Sequence, residues 1–292
     1  MARIIITLFW LLCGVAVSAG KVTPVIITAG QSNTDGRVPD SMLPDYIKRD
    51  GFGGCMWSYG SGELSGKGSF EPFYPKVARP GGEALWGYDA VVYYRIAKAI
   101  NREFYVIKES LGGTAVDPRC GSTQGMYWSA APEFLSANTA ADRGGKSLLK
   151  AFTNNIGACI DSVLSQKPGG YEIKAFLWHQ GESDRLKAEC YYDNLKAVVS
   201  YVRRYLVEKT GDERYNSLTF ICGTFSSESR QRSQGVVDAL KLLAEEDADF
   251  HVIDMYDGSL LDDRLHFDAD GAVLFGNRVF DKLVETGAII AD

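Results

Sequence analysis

The chain of 292 residues can form one large domain or two small ones, and its 46% apolar and 23% charged residues are ordinary for a globular protein. The formal net charge is −6, and no basic cluster interrupts the sequence. This argues against a nucleic-acid partner, which requires a concentrated positive face. It also disfavours binding to anionic membranes.

The first 19 residues have the pattern of a secretory signal peptide. Arg3 supplies the positive charge, an apolar stretch runs from Ile4 to Val17, and small residues precede a cleavage site near Ala19. A membrane anchor is the alternative, but it needs about 20 apolar residues, more than this stretch provides. We therefore expect a secreted or periplasmic mature chain of residues 20–292 without stable membrane insertion.

From the first apolar run onwards, strand-like and helix-like segments alternate along the chain. The predicted strands are Val25–Ala29, Tyr105–Lys108, Ile173–Trp178, Leu218–Gly223 and His251–Met255. The predicted helices are Tyr88–Asn101, Lys146–Ser165, Ala188–Lys209, Ser233–Glu245 and Ala272–Thr286. Most strands are continuous apolar runs, as expected when both faces of a sheet are covered. The pattern predicts a single-domain, three-layer α/β/α sandwich around a mostly parallel five-stranded sheet.

Two long segments interrupt this alternation. Residues 31–87 are rich in glycine and aromatic residues and show few regular elements, so we interpret them as a loop insertion folded over the active edge of the sheet. Trp57 and Trp86 lie in this insertion, and Trp128 lies in a second predicted loop, residues 118–141. Their flat rings suit stacking on a sugar. The alternative is that they form a small core that holds the insertion together.

Five cysteines remain after removal of the signal peptide: Cys55, Cys120, Cys159, Cys190 and Cys222. We predict Cys159 and Cys222 to be small core residues. Cys55 and Cys120 fall in predicted loops and could form one disulfide in an oxidising compartment, which the sequence leaves open. No pair has the spacing of a zinc site, and we expect no metal or cofactor.

A serine directly follows the first predicted strand, in the sequence Gly30-Gln31-Ser32-Asn33. Open α/β sheets bind ligands at the carboxyl ends of their strands, so Ser32 is a candidate nucleophile. In the alternative interpretation, Ser32 caps a helix or belongs to an ordinary turn.

A matching base lies near the end of the chain, in Asp263-Arg264-Leu265-His266. His266 is the candidate base, and Asp263 would orient it and stabilise its charged form. Asp262 and Asp268 compete with Asp263 for this role. The acidic segment also allows a solvated loop or a calcium site as alternatives.

The oxyanion of acyl transfer needs donors where negative charge develops. Candidates are the Ser32 backbone N–H, the N–H of Gly112 or Gly113, and the side-chain amide of Gln180. Glu182 either supports the loop that bears Ser32 or acts as a second acid, and we favour support.

Four sequence blocks, Gly30–Asn33, Ser110–Thr114, Trp178–Asp184 and Asp263–Phe267, resemble those of the SGNH/GDSL hydrolase superfamily. Within it, the chain is similar to the branch of sialate O-acetylesterases and family-six carbohydrate acetylesterases. The resemblance implies a flavodoxin-like SGNH hydrolase fold. The third block departs from the Gly-x-Asn pattern of the wider superfamily, because Gln180-Gly181-Glu182 stands in its place.

Together, the residues and the resemblance predict a metal-independent serine esterase that removes O-acetyl groups from a carbohydrate through an acyl-enzyme. A lipase, a thioesterase or a peptidoglycan-directed esterase on the same fold is the alternative, followed by a non-catalytic carbohydrate-binding protein. The sugar stays open between an acetylated xylan-type glycan and sialic acid. An anionic sugar would call for an arginine in the pocket, such as Arg37, Arg119 or Arg185.

Overall fold

The computed structural model of the protein describes residues 20–61, 68–77 and 82–290, so the predicted signal peptide lies outside the described residues. The strands are β1 (Thr23–Gly30), β2 (Val38–Pro39), β3 (Cys55–Gly60), β4 (Glu71–Pro72), β5 (Lys76–Val77), β6 (Ala84–Trp86), β7 (Phe104–Ser110), β8 (Tyr171–His179), β9 (Phe220–Gly223) and β10 (Phe250–Ile253). The helices are α1 (Ser32–Asp35), α2 (Asp45–Asp50), α3 (Tyr88–Ile100), α4 (Pro132–Ala137), α5 (Leu148–Ser162), α6 (Tyr191–Thr210), α7 (Gln234–Glu246) and α8 (Ala269–Glu285).

The central sheet of the described residues has seven strands in the order β10-β9-β8-β1-β7-β3-β4. All of its pairings are parallel except that of β3 with β4, which confirms the predicted mostly parallel sheet. The predicted number of five strands is wrong. The two additional strands come from the segment 31–87, which also supplies the small sheet β2-β6-β5. β4 was missed because it has only two residues, and β3 because glycines such as Gly54 and Gly60 surround its apolar residues.

Helices cover both faces of the sheet, as predicted. Side chains alternate along β1, so that Val25 and Ile27 enter the core beneath α5, α6 and α7, whereas Ile26 enters the core beneath α3 and α8. β1 is buried from its second residue, Pro24, to Gly30 because it is flanked by β7 and β8 and covered on both faces. The three-layer α/β/α sandwich is confirmed.

Several predicted helix boundaries shift. The helix predicted from Ala188 begins at Tyr191, because a 3₁₀ segment, Glu182–Cys190, precedes it. The last helix begins earlier than predicted, at Ala269, because the Asp268 side chain caps it by accepting a hydrogen bond from the Gly271 N–H. This cap ends the segment that contains His266.

The three tryptophans considered as sugar platforms are buried, which supports the interpretation that they form a structural core. Trp57 lies in β3 and Trp86 in β6, each 2% exposed, and Trp128 is fully buried. Trp57 stacks on Tyr59, and Trp128 packs edge-to-face against Trp178. Burial of these large apolar rings stabilises the segments that surround the sheet edge.

The five described cysteines are free, so the Cys55–Cys120 bridge is not formed. Cys55 does not lie in a loop: it starts β3 and belongs to the core beneath α3. Cys159 and Cys222 are buried, as predicted. Among the described helices, none combines the length and the apolarity needed to cross a bilayer.

Candidate active site

Three of the four sequence blocks meet at one edge of the central sheet. Gly30, the last residue of β1, lies in register with Ser110 at the end of β7 and with His179 at the end of β8. Because the three strands are parallel, the residues that follow them emerge side by side. The structure thereby brings Ser32, Gly112 and Gln180 to a common edge.

The turn that presents Ser32 depends on Gly30. Gly30 has a φ of 153°, and a side chain there would collide with the backbone carbonyl of His179. Ser32 is the first residue of α1 and is 5% exposed. Gln31, not Ser32, holds the position before the helix, so helix capping does not account for the serine. Within the described residues, the Ser32 hydroxyl makes no hydrogen bond, to His266 or to any other side chain.

His266 and Asp263 form the pair that the sequence suggests. Their Nδ1 and Oδ2 atoms are 2.6 Å apart, and the His266 side chain is 16% exposed. The other oxygen of Asp263 accepts hydrogen bonds from the N–H groups of Leu265 and His266, at 2.9 and 3.0 Å. Burial raises the pKa of Asp263, but these N–H donors and the imidazole outweigh it, so the pKa lies below its usual range. The carboxylate is therefore ionised when it faces the imidazole.

Of the two competing carboxylates, Asp268 is engaged elsewhere, because it caps α8. Asp257, in the same acidic segment, forms two hydrogen bonds with the Arg278 guanidinium, at 2.6 and 2.8 Å. Among the described residues, no group of three or more metal-ligating side chains is assembled. The calcium alternative for this acidic segment therefore has no support in the geometry.

The backbone between Asp263 and His266 is strained. Arg264 has a φ of 53°, in the left-handed region that a side chain disfavours. This turn lets the Asp263 carboxylate reach the N–H groups of Leu265 and His266. The turn is closed by hydrogen bonds that Leu261 and Arg264 make, from Leu261 N to His266 O and from Arg264 N to Leu261 O, both 2.8 Å.

Two backbone donors are free beside Ser32. In the described part of the chain, neither the Ser32 N–H nor the Gly112 N–H donates to a protein acceptor. A side chain at Gly112 would displace the Arg37 guanidinium and lie 3.3 Å from the Ser32 Cβ, so the backbone of Gly112 is close to the serine. A side chain at Gly113 would instead meet Thr123, whose N–H donates to the Gly113 carbonyl at 2.9 Å. Of the two glycines, Gly112 lies next to the serine.

The Gln180 side chain is committed to other contacts, which corrects its proposed role as an oxyanion donor. Its amide nitrogen donates to Asp184 Oδ2 at 2.6 Å and to Thr114 O at 3.0 Å, and it lies 3.4 Å from Gln31 Oε1. Its amide oxygen accepts from the Tyr191 hydroxyl at 3.1 Å. An amide has two N–H donors, so none is left for substrate.

Asp184 is a site residue whose role the sequence analysis missed. It is 1% exposed, and its carboxylate accepts hydrogen bonds from the backbone N–H groups of Val116 and Asp117, at 2.8–3.1 Å. Burial raises the pKa of Asp184 although these donors oppose it. Asp184 and Gln180 together tie the segment after Gly112 to the end of β8. Their position within one motif was the available signal, but their partners cannot be read from a sequence.

Glu182 contacts the segment that bears Ser32, as the sequence analysis favoured. It is fully buried, and its Oε1 accepts a hydrogen bond from Asn33 Nδ2 at 3.1 Å. The same oxygen lies 3.5 Å from Nε2 of His179, whose ring is also fully buried. Burial raises the pKa of Glu182, but the contacts with His179 and Asn33 outweigh it, so the pKa lies below its usual range.

Of the three candidate arginines, Arg37 lies next to Ser32. Its Nη1 pairs with Asp35 Oδ2 at 2.7 Å, and its guanidinium fills the space over Gly112. Arg119 instead pairs with Asp117, and Arg185 donates to the Glu182 carbonyl at 3.0 Å. Arg37 is therefore the cation closest to the nucleophile among these three.

The three-layer α/β/α fold agrees with the hydrolase fold that the sequence resemblance implies. A family model described as "carbohydrate esterase, sialic acid-specific acetylesterase" matches residues 140–285, half of the chain. The chain belongs to this family of carbohydrate esterases, and its activity is that of a carbohydrate O-acetylesterase. No curated protein matches the chain.

Solved structures support the fold. A protein from Arabidopsis thaliana superposes with a TM-score of 0.63 at 19% identity over 90% of this chain and 98% of its own. NanS superposes with a TM-score of 0.62 at 12% identity, over 91% and 98%. A carbohydrate acetylesterase from Xanthomonas citri gives 0.56 at 14% identity, over 90% of this chain and 56% of its own. At these identities the similarity establishes the architecture.

Proposed function

We propose that Ser32, His266 and Asp263 carry out the deacetylation. The observation that supports this assignment most directly is the 2.6 Å pairing of Asp263 with His266 Nδ1, in a segment hydrogen-bonded to the residue after Ser32. With Nδ1 bonded to a carboxylate, the imidazole presents a basic Nε2 to its other side. A serine needs such a base within reach to become nucleophilic, and catalytic contacts often tighten only when substrate is bound.

In the proposed reaction, Ser32 Oγ attacks the acetyl carbonyl carbon while His266 Nε2 takes the hydroxyl proton. The tetrahedral intermediate then collapses, the bond to the sugar oxygen breaks, and His266 returns the proton to that oxygen. Water, deprotonated by His266, attacks the acetyl-serine, and acetate leaves as Ser32 regains its proton. Asp263 stabilises the imidazolium in both halves of the cycle.

The Ser32 and Gly112 N–H groups are the proposed oxyanion donors. Both are free, and Gly112 has no side chain to separate its backbone from the serine. Donors fixed in advance stabilise the charge of the tetrahedral intermediate without reorganising, and one such donor is typically worth about 10²–10³ in kcat. Arg37 adds N–H groups next to Ser32 that suit an oxygen of the sugar.

Acyl length tests the esterase class. We expect kcat/KM on nitrophenyl esters to fall steeply from acetate to butyrate and to be negligible for octanoate. Rejection by steric overlap discriminates more strongly than lost burial, which is worth about 0.8 kcal/mol per methylene. Equal or rising activity on octanoate would contradict the proposal and favour a lipase.

Activity should survive treatment with EDTA, because the proposed nucleophile is a side chain and not a metal-bound water.

The sugar is identified by acetate release from a panel that contains O-acetylated sialic acid and acetylated xylan. Preference for sialic acid would assign the Arg37 guanidinium to the sugar carboxylate, whereas preference for xylan would assign it to hydroxyl oxygens.

Export is a separate proposal that rests on the signal pattern of residues 1–19. It predicts that the secreted protein, analysed by intact-mass spectrometry, begins at Gly20.

A further inference from the structure

The side chain of Asn33 connects the two halves of the active site. Asn33 directly follows Ser32 and is 6% exposed. Its Oδ1 accepts a hydrogen bond from the Phe267 N–H at 3.0 Å, and its Nδ2 lies 3.5 Å from the Leu265 carbonyl oxygen. Leu265 and Phe267 are the two neighbours of His266. One carboxamide therefore contacts the backbone on both sides of the candidate base.

The other end of this connection is Glu182. Asn33 Nδ2 donates to Glu182 Oε1 at 3.1 Å, and both groups are buried. The carboxylate lies against His179, whose ring is enclosed by Phe225, Phe267 and Phe275. A buried carboxylate requires donors, so Glu182 fixes the orientation of the Asn33 amide and directs its oxygen towards Phe267.

We infer that Asn33 is a positioning residue that sets the location of His266 relative to Ser32, with Glu182 as its anchor. This inference rests on the proposed function, because it assigns the role through the proposed nucleophile and base. The side chain must accept at one end and donate at the other. Aspartate provides no donor and would place a second carboxylate against Glu182, whereas alanine and leucine provide neither group.

The contact is specific to the catalytic segment. A second buried hydrogen bond, from the Tyr93 hydroxyl to Thr28 Oγ1 at 2.8 Å, joins α3 to β1 but contacts no segment of the site. If Asn33 served stability alone, loss of its hydrogen bonds would act as loss of this one does. Tyr93→Phe is therefore a control that removes one buried hydrogen bond between elements and leaves the active site intact.

The test measures kcat and KM on nitrophenyl acetate for folded Asn33→Ala and Tyr93→Phe proteins. We expect Asn33→Ala to lower kcat about 100-fold, the effect of a misplacement of about 1 Å, with KM within about threefold of wild type. Acylation and deacylation should both slow in single-turnover measurements, because His266 serves both steps. Tyr93→Phe should stay within about twofold in kcat at temperatures where it is folded.

A reversed hydrogen bond provides the second measurement. Asn33→Asp should lose more kcat than Asn33→Ala, because two carboxylates then oppose each other, and Glu182→Gln alone should lose less. In the double variant the new glutamine amide donates to the new aspartate, so kcat should recover at least about tenfold relative to Asn33→Asp. Asn33→Ala carries the test if Asn33→Asp does not fold.

The inference is overturned if folded Asn33→Ala keeps kcat within about threefold of wild type, or if its loss appears in KM instead. It is also overturned if the double variant is no more active than folded Asn33→Asp. Failure of the proposed function would be recognised separately, since the wild-type protein would then show no Ser32-dependent turnover of any acetyl ester.

Discussion

The proposed nucleophile and the proposed base are held in different ways. Ser32 follows the most central strand of the sheet, and its surroundings are fixed by buried contacts with the ends of β7 and β8. His266 lies on a loop between β10 and α8, where the Asp263 side chain is 40% exposed and Arg264 is strained. The serine is thus positioned by the sheet itself, and the histidine by a small number of hydrogen bonds.

The surroundings of Ser32 and those of His266 should therefore differ in their sensitivity to substitution. A parallel sheet reproduces the spacing of its strand ends wherever the core is intact, so the position of Ser32 itself should not depend on any single side-chain hydrogen bond. The base side has no such redundancy. Loss of one hydrogen bond near His266 can move this residue without unfolding the protein. Such a variant should lose activity and keep its stability.

The largest effect tests the serine side. Ser32→Ala should lower kcat on nitrophenyl acetate by at least about 10⁴-fold, because no other group can form the acyl-enzyme. The melting temperature should stay close to that of wild type, since the hydroxyl makes no hydrogen bond within the described residues. Activity within about tenfold of wild type would remove Ser32 from the mechanism.

His266→Ala should be about as damaging as Ser32→Ala, and the double variant scarcely worse, because residues that act as one unit are not additive. Asp263→Asn should be milder than His266→Ala, since it perturbs the tautomer and the charge of the imidazole and leaves the base in place. The measurement is kcat for these four variants and for His179→Ala. If His179→Ala matched Ser32→Ala while His266→Ala stayed active, the base assignment would be wrong.

Substitutions in the strained turn at Arg264 should have a smaller effect, and they test whether this turn positions His266. Arg264→Val places a β-branched residue at positive φ, where it is more strongly disfavoured than arginine, and should lower both the melting temperature and kcat. Arg264→Gly fits the same φ without strain, and we expect stability and kcat close to wild type. Equal behaviour of the two variants would show that the turn does not constrain His266.

The smallest effect concerns the loop after Gly112. Hydrogen bonds from Arg119 lower the pKa of Asp117 to about 2. A lowered pKa means that the ionised carboxylate stabilises the fold above its unfolded pKa of about 4, and that this stabilisation is lost as pH falls towards 2. Asp117→Asn should therefore melt a few degrees below wild type at pH 6 and converge with it near pH 2. A constant difference across this range would assign the effect to packing.

The sequence was sufficient for the features that depend on local pattern. Apolar runs predicted the central parallel strands, and the Asp263–His266 pairing followed from their spacing. The motif that contains Ser32 was found because it directly follows an apolar strand. Each of these signals lies within a few residues of chain, so it can be recognised without knowledge of tertiary contacts.

Features that depend on distant partners were not predictable. The Asn33 side chain meets Glu182 and Phe267, which are 149 and 234 positions away. Gln180 was assigned to the oxyanion from its motif, whereas Asp184 and Thr114 use its donors. Trp57 and Trp86 were placed in a loop because the glycines around them obscured β3 and β6. In each case, tertiary contacts decided a role that the residue type left open.

The order of strands in the sheet also bears on how the enzyme is made. β1 is synthesised first, yet its two neighbours in the sheet, β7 and β8, follow about 80 and 150 residues later. Contacts of such long sequence separation form slowly, because the intervening chain must be ordered first. A ribosome that stops before residue 266 releases a chain that contains Ser32 but lacks the proposed base. Under the proposed mechanism, such partial products have no esterase activity, however well their first strands are formed.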